Sequence, residues 1–142
     1  MTPWRDQFTI PHPDHLAEAI PEHRSQPVRE LLKRLDALDG LTQEVRWMGI
    51  PWRWTLAYRD PDEGEVAYLV PDPECPRFAM PIPVGWIDGV DPKALARPVR
   101  EGLARARVVG PVAWAEWNLD AASLASDLVM LVTERLGTLA DA

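Results

Sequence analysis

The chain has 142 residues, enough for one domain and too few for two well-filled cores. A hydrophobic content of 46% supports a buried core, and a formal net charge of -7, from 22 acidic against 15 basic residues, disfavours nucleic acid and anionic membrane surfaces as partners. The single cysteine, Cys75, excludes an internal disulfide and a thiolate zinc site.

Residues 1–12 carry no periodicity and are expected as a loose end. Pro13 suits the first turn of a short helix to about Ile20, because its missing N–H has no intrahelical partner there. A second helix is expected with Ser25 as cap, Pro27 as opener and Gly40 as stop. Its face is Val28, Leu31, Leu32, Leu35 and Leu38, at helical spacing.

A β region follows over about 44–83. Residues 44–47 alternate polar and apolar, and Met48-Gly49-Ile50-Pro51 interrupts them. Trp52, Trp54, Leu56 and Tyr58 then alternate with Arg53, Thr55, Ala57 and Arg59, which predicts a strand with Trp52 and Trp54 on one buried face. Asp60-Pro61-Asp62-Glu63-Gly64 predicts a hairpin loop into a strand over 65–70. Phe78, Met80 and Ile82 predict a further strand, which Pro81 and Pro83 restrict to an edge or cut short. A helix is expected over 92–106, kinked or split at Pro98, and a strand over 108–117 broken at Gly110-Pro111. Trp114 and Trp117, three apart, should face opposite ways. Asp120 caps a final helix to about Leu136, ended by Gly137, with 138–142 as a second loose end. The expectation is one α+β domain over 1–142, a twisted antiparallel sheet covered by N- and C-terminal helices, in the order α-α-β-β-β-α-β-α.

Motifs of known chemistry are few. There is no glycine-rich phosphate loop and no G-x-S-x-G elbow. His12, His15 and His23 lie in a polar N-terminal stretch and read as surface. Cys75 follows Glu74, which works against a thiolate, and reads as incidental. No catalytic residue, metal site or cofactor is assigned. The tryptophans carry the functional expectation: an aromatic-lined pocket for a small ligand or a partner segment, built from Trp47, Trp52, Trp54 and Trp117 with Arg46 and Glu116 as polar fixtures. Packing between sheet and helices is the competing reading of the same residues.

The stretch Val45-Arg46-Trp47-Met48-Gly49-Ile50-Pro51-Trp52 resembles a motif of the YdhG-like superfamily of small bacterial domains. The resemblance rests on Trp47, Gly49, Pro51 and Trp52 after a helix, and extends in outline over 25–136. It implies a twisted antiparallel sheet packed by terminal helices. Some related domains are frataxin-like iron chaperones with a histidine on the strand after the hairpin. This chain has Glu65-Val66-Ala67-Tyr68-Leu69-Val70 there, without one.

The leading expectation is therefore a binding module, monomeric or homodimeric, for a small molecule or protein. The alternatives are an iron chaperone with Glu30, Asp36 and Asp39 as oxygen ligands, or an enzyme with Glu44 or Glu116 beside an arginine as acid-base pair. Residues 1–6 show no signal pattern, and no apolar run approaches the ~20 residues that span a bilayer, so the expected location is the cytoplasm.

Overall fold

The computed structural model describes residues 2–140, with side chains to Gly137. Helices α1 (Pro13–Glu18) and α2 (Glu22–Asp36) precede strands β1 (Thr42–Trp47), β2 (Trp54–Asp60), β3 (Gly64–Val70) and β4 (Arg77–Pro83). Then come α3 (Val84–Asp88), a 3-10 turn at Pro92–Ala94, α4 (Arg97–Ala104), β5 (Arg107–Val109), β6 (Val112–Asn118) and α5 (Ala122–Ala140). The six strands form one antiparallel sheet in the order β1-β2-β3-β4-β6-β5. The class is α+β, as the hairpin-linked strands between helices imply.

Alternation along each strand sends Trp54, Leu56, Tyr58, Leu69, Phe78, Met80, Ile82, Ala115 and Trp117 into one core. Leu16 of α1, Val28, Leu31 and Leu35 of α2, Val99 of α4, and Leu124, Leu128, Leu131 and Val132 of α5 close over that face. Leu32 is only half-buried at its edge. The other face carries a smaller cluster of Ala57, Tyr68 and Ala79, with Met48, Trp52 and Trp114 packed against it.

Several boundaries differ from those read in the sequence. Helix α2 starts at Glu22, so Pro27 lies inside it and Ser25, rather than capping, donates its hydroxyl to the Glu22 carbonyl at 3.0 Å. Pro27 has no N–H for the carbonyl one turn back, a loss confined to the N-terminal part of the helix. The β4 prolines are accommodated in an interior strand, because β3 pairs only with Arg77, Phe78 and Ala79. Pro81 and Pro83 lie beyond that pairing. Gly110-Pro111 turns the chain into the β5–β6 hairpin, with Gly110 at φ +61. Gly137 does not end the last helix, which continues through it to Ala140. Residues 138–140 are thus helical, and 141–142 lie outside the described residues.

The N-terminal segment is anchored rather than loose. Trp4 is 4% exposed, and its indole N–H donates to the Trp52 carbonyl at 2.9 Å. The Asp6 carbonyl accepts from the Trp54 indole at 2.6 Å.

Tyr58 makes one consequence of this core measurable. It is 1% exposed, and burial pushes its hydroxyl well above the ordinary 10.0, while a hydrogen bond from Gln43 pulls the other way and Asp36 adds to the rise. The raised value favours the neutral phenol in the folded state. That contribution is complete below the unfolded value of about 10 and is lost as pH rises from there towards the folded one. Denaturant midpoints are expected to fall above pH ~10, and less steeply in Tyr58→Phe. Equal alkaline slopes for the two proteins would contradict this.

Candidate functional site: the uncovered face of the sheet

The β1–β2 connection decides where the tryptophans go. Gly49 adopts φ +78, the Ile50–Pro51 peptide is cis, and Arg53 adopts φ +57, a region that non-glycine residues rarely occupy. Met48 and Arg53 close the turn, with Met48 N–H to the Arg53 carbonyl at 2.9 Å and Arg53 N–H to the Gly49 carbonyl at 2.5 Å. Strand β2 begins only at Trp54. The expected alternation from Trp52 to Trp54 therefore fails: Trp54 enters the core, and Trp52 turns to the opposite side of the sheet. Trp4 below holds the turn from its Trp52 carbonyl, and the Arg53 guanidinium lies 5.4 Å from the Trp4 ring.

The six sequence candidates consequently separate into two sets. Trp47, Trp54 and Trp117 are on the helix-covered side. Trp47 meets Trp54 edge-on at 5.5 Å, and Trp117 donates its indole N–H to the Pro98 carbonyl at 3.1 Å. Arg46 and Glu116 are on the uncovered side, and Trp52, which also touches the main core, stacks its ring there. The structure does not bring the six together, and the pocket with Trp54 as floor does not form.

On the uncovered side a different group assembles. Tyr68 lies between Ala57 of β2 and Ala79 of β4, two small neighbours that leave room for its ring. Trp52 and Trp114 flank it, with ring centroids 5.5 Å and 5.9 Å away and 6.4 Å from each other. Trp114 and Trp117 do face opposite ways, as their spacing predicts. Tyr68 is 4% exposed beneath its two half-buried partners. Its hydroxyl donates to Glu65, and burial raises its pKa while the nearby Arg46 charge opposes the rise.

Two ion-pair groups border these rings. Arg46 binds Glu65 and, at 3.1 Å, Glu44. Arg77 lies 3.6 Å from Asp72 and 3.5 Å from Glu116. Glu44 and Glu116 are thus exposed and held by arginines, an arrangement that serves a polar rim better than acid-base chemistry. Tyr68, Trp114 and Arg77 were not among the sequence candidates. Strand register brings them together, and no local spacing in the sequence signals it.

The indole N–H groups are not equivalent. Those of Trp4, Trp54 and Trp117 donate to backbone carbonyls at 2.6 to 3.1 Å. Those of Trp47, Trp52, Trp86 and Trp114 have no protein acceptor among the described residues, and none of these nitrogens is among the buried unpaired atoms. Of the four, Trp52 and Trp114 stack on Tyr68.

Concave surface lies elsewhere. A polar cleft of about 690 Å³ is lined by Arg5, Arg53, Asp72 and Glu74. Another, of about 340 Å³, brings His23, Cys75 and Asn118 together, but the thiol donates to Asn118 Oδ1 at 3.5 Å, which does not pair it with a base. Among the described residues no group of three or more His, Cys, Asp or Glu is placed to hold a metal ion. Glu30 is engaged by Arg34 at 2.7 Å. Asp36 is exposed, its pKa raised by partial desolvation and then by Asp14. No helix of the described residues is long and apolar enough to cross a membrane. No protein-family model, no curated protein and no solved structure matches the chain.

Proposed function

We propose that the protein is a binding module whose working surface is the uncovered face of the sheet. It takes a partner segment that presents an aromatic or branched apolar side chain. The observation that supports this most is the stacked set on that face. Trp52 and Trp114 flank Tyr68 there, and both keep an N–H for an incoming acceptor, as Trp47 and Trp86 do away from it, while the other three indoles are fastened to carbonyls. A segment of chain supplies what that surface lacks, an apolar group to stack on the rings and a carbonyl to accept from an indole. A small molecule on a flat platform would leave its outer side in water, whereas a partner brings its own second wall. Trp, Tyr and Arg are also the residues in which interface energy concentrates. Kinship to the YdhG-like superfamily and a cytoplasmic location belong to the same proposal, the first carried by Trp47, Gly49, Pro51 and Trp52.

Peptides selected by phage display against the whole chain test this. The selected peptides are expected to carry an aromatic or branched apolar residue and to bind Trp114→Ala at least ~10-fold more weakly, the loss of a central interface anchor. Trp114→Ala is expected to keep its fold, checked by circular dichroism, because the indole is half-exposed. Undiminished binding to a folded Trp114→Ala and to a folded Trp52→Ala would contradict the proposal.

A further inference from the structure

Between β4 and β5 the chain passes through three short elements, α3, the turn at Pro92–Ala94, and α4. Pro92 opens one of them and Pro98 stands in the first turn of another, so none of the three is long enough to fill the space beside the others. They leave a cleft of about 310 Å³, lined by Ile87, Val90, Leu95 and Leu103 among others, all four of them half-buried. Arg100 is the one charged residue among the lining residues. The aromatic platform is on the other side of the sheet, so this cleft stands independently of the proposed function.

Arg97, on the same helix, pairs with Glu101 at 3.0 Å, while Arg34, Arg46, Arg77 and Arg135 each have a carboxylate. Arg100 has no carboxylate or carbonyl partner among the described residues. Among the described residues Arg5, Arg29, Arg59, Arg105 and Arg107 also lack a carboxylate partner, but Arg100 alone of these lines the cleft. Glu101 is engaged by Arg97, and the Asp91 carboxylate accepts from the Lys93 N–H at 3.0 Å. The cleft therefore offers apolar walls and one unpaired guanidinium.

We infer that this cleft binds a small monocarboxylate with an apolar chain or ring. Guanidinium presents a planar fork that matches a carboxylate, and the walls take the apolar body. The volume falls at the small end of the roughly 300–1,000 Å³ typical of small-ligand sites, which favours a free acid over a folded partner.

Octanoate is the probe, with octanol as its uncharged counterpart of equal length. Binding is read by calorimetry and by methyl shifts of Ile87, Leu95 and Leu103. Wild type is expected to prefer octanoate over octanol by ~10-fold or more, the worth of a charge-assisted pair. Arg100→Gln should remove that preference and leave octanol binding unchanged. Arg97→Gln, which deletes a charge on the same helix outside the cleft, should change neither. Equal affinity of wild type for the two probes, an undiminished preference in Arg100→Gln, an equal loss in Arg97→Gln, or no saturable binding would each overturn the inference. So would tighter binding, in place of octanoate, of an acetylated peptide ending in a leucine with a free carboxylate.

Discussion

Gly102→Ala is expected to destabilise the protein by about 3 kcal/mol or more, at or beyond the top of the ~1–3 kcal/mol range for overpacking. Gly102 of helix α4 lies directly against Trp117 of β6. A Cβ placed there would stand 1.9 Å from Trp117 Nε1, 2.3 Å from Cε2 and 2.7 Å from Cδ1. The indole is 5% exposed and held by its bond to the Pro98 carbonyl, so retreat breaks a hydrogen bond and disturbs the core. Alanine is the better helix former by ~1 kcal/mol, which lowers the net cost without reversing it. Denaturant titration of Gly102→Ala, Trp117→Phe and the double variant isolates the contact, because the smaller ring should recover part of the loss. A Gly102→Ala protein as stable as wild type would mean that α4 lies farther from the sheet.

Leu35→Ala is expected to cost ~2–5 kcal/mol, the lost transfer energy of a buried leucine plus the cavity it leaves. Leu35 is 1% exposed on the face of α2 that packs into the common core with α5 and the sheet. Lys33→Ala, exposed on the same helix, should stay within ~0.5 kcal/mol of wild type. If the Leu35→Ala denaturation curve overlays that of wild type, α2 does not cover the sheet as described.

These residues were legible because their signals are local. The spacing of Val28, Leu31 and Leu35 is that of one helical face, and Asp60-Pro61-Asp62-Glu63-Gly64 forms its hairpin through local chemistry: the Asp60 carboxylate accepts from the N–H groups of Asp62 and Glu63, and Gly64 takes φ +82. Trp52 was misplaced because alternation holds only inside a strand. The turn at 48–53 carries positive φ at Gly49 and Arg53, and that reverses the side on which Trp52 emerges. The aromatic platform was hidden for a different reason. Tyr68 meets Trp114 only because β3 pairs with β4 at Ala79 and β4 pairs with β6 across Pro81, a register set by the whole sheet. The Arg100 cleft was equally unreadable, since it arises from what three short elements fail to fill.

The seven indole N–H signals in a 1H–15N spectrum test the platform most directly, each assigned by a single Trp→Phe variant. N-acetyltryptophanamide, a neutral probe with a planar indole and backbone-like carbonyls, is titrated into the whole chain. The Trp52 and Trp114 signals are expected to move in a saturable way, while those of Trp4, Trp54 and Trp117, already bonded to carbonyls, stay in place. Movement of the Trp4, Trp54 and Trp117 signals with Trp52 and Trp114 unchanged would contradict the assignment of the uncovered sheet face as the binding surface.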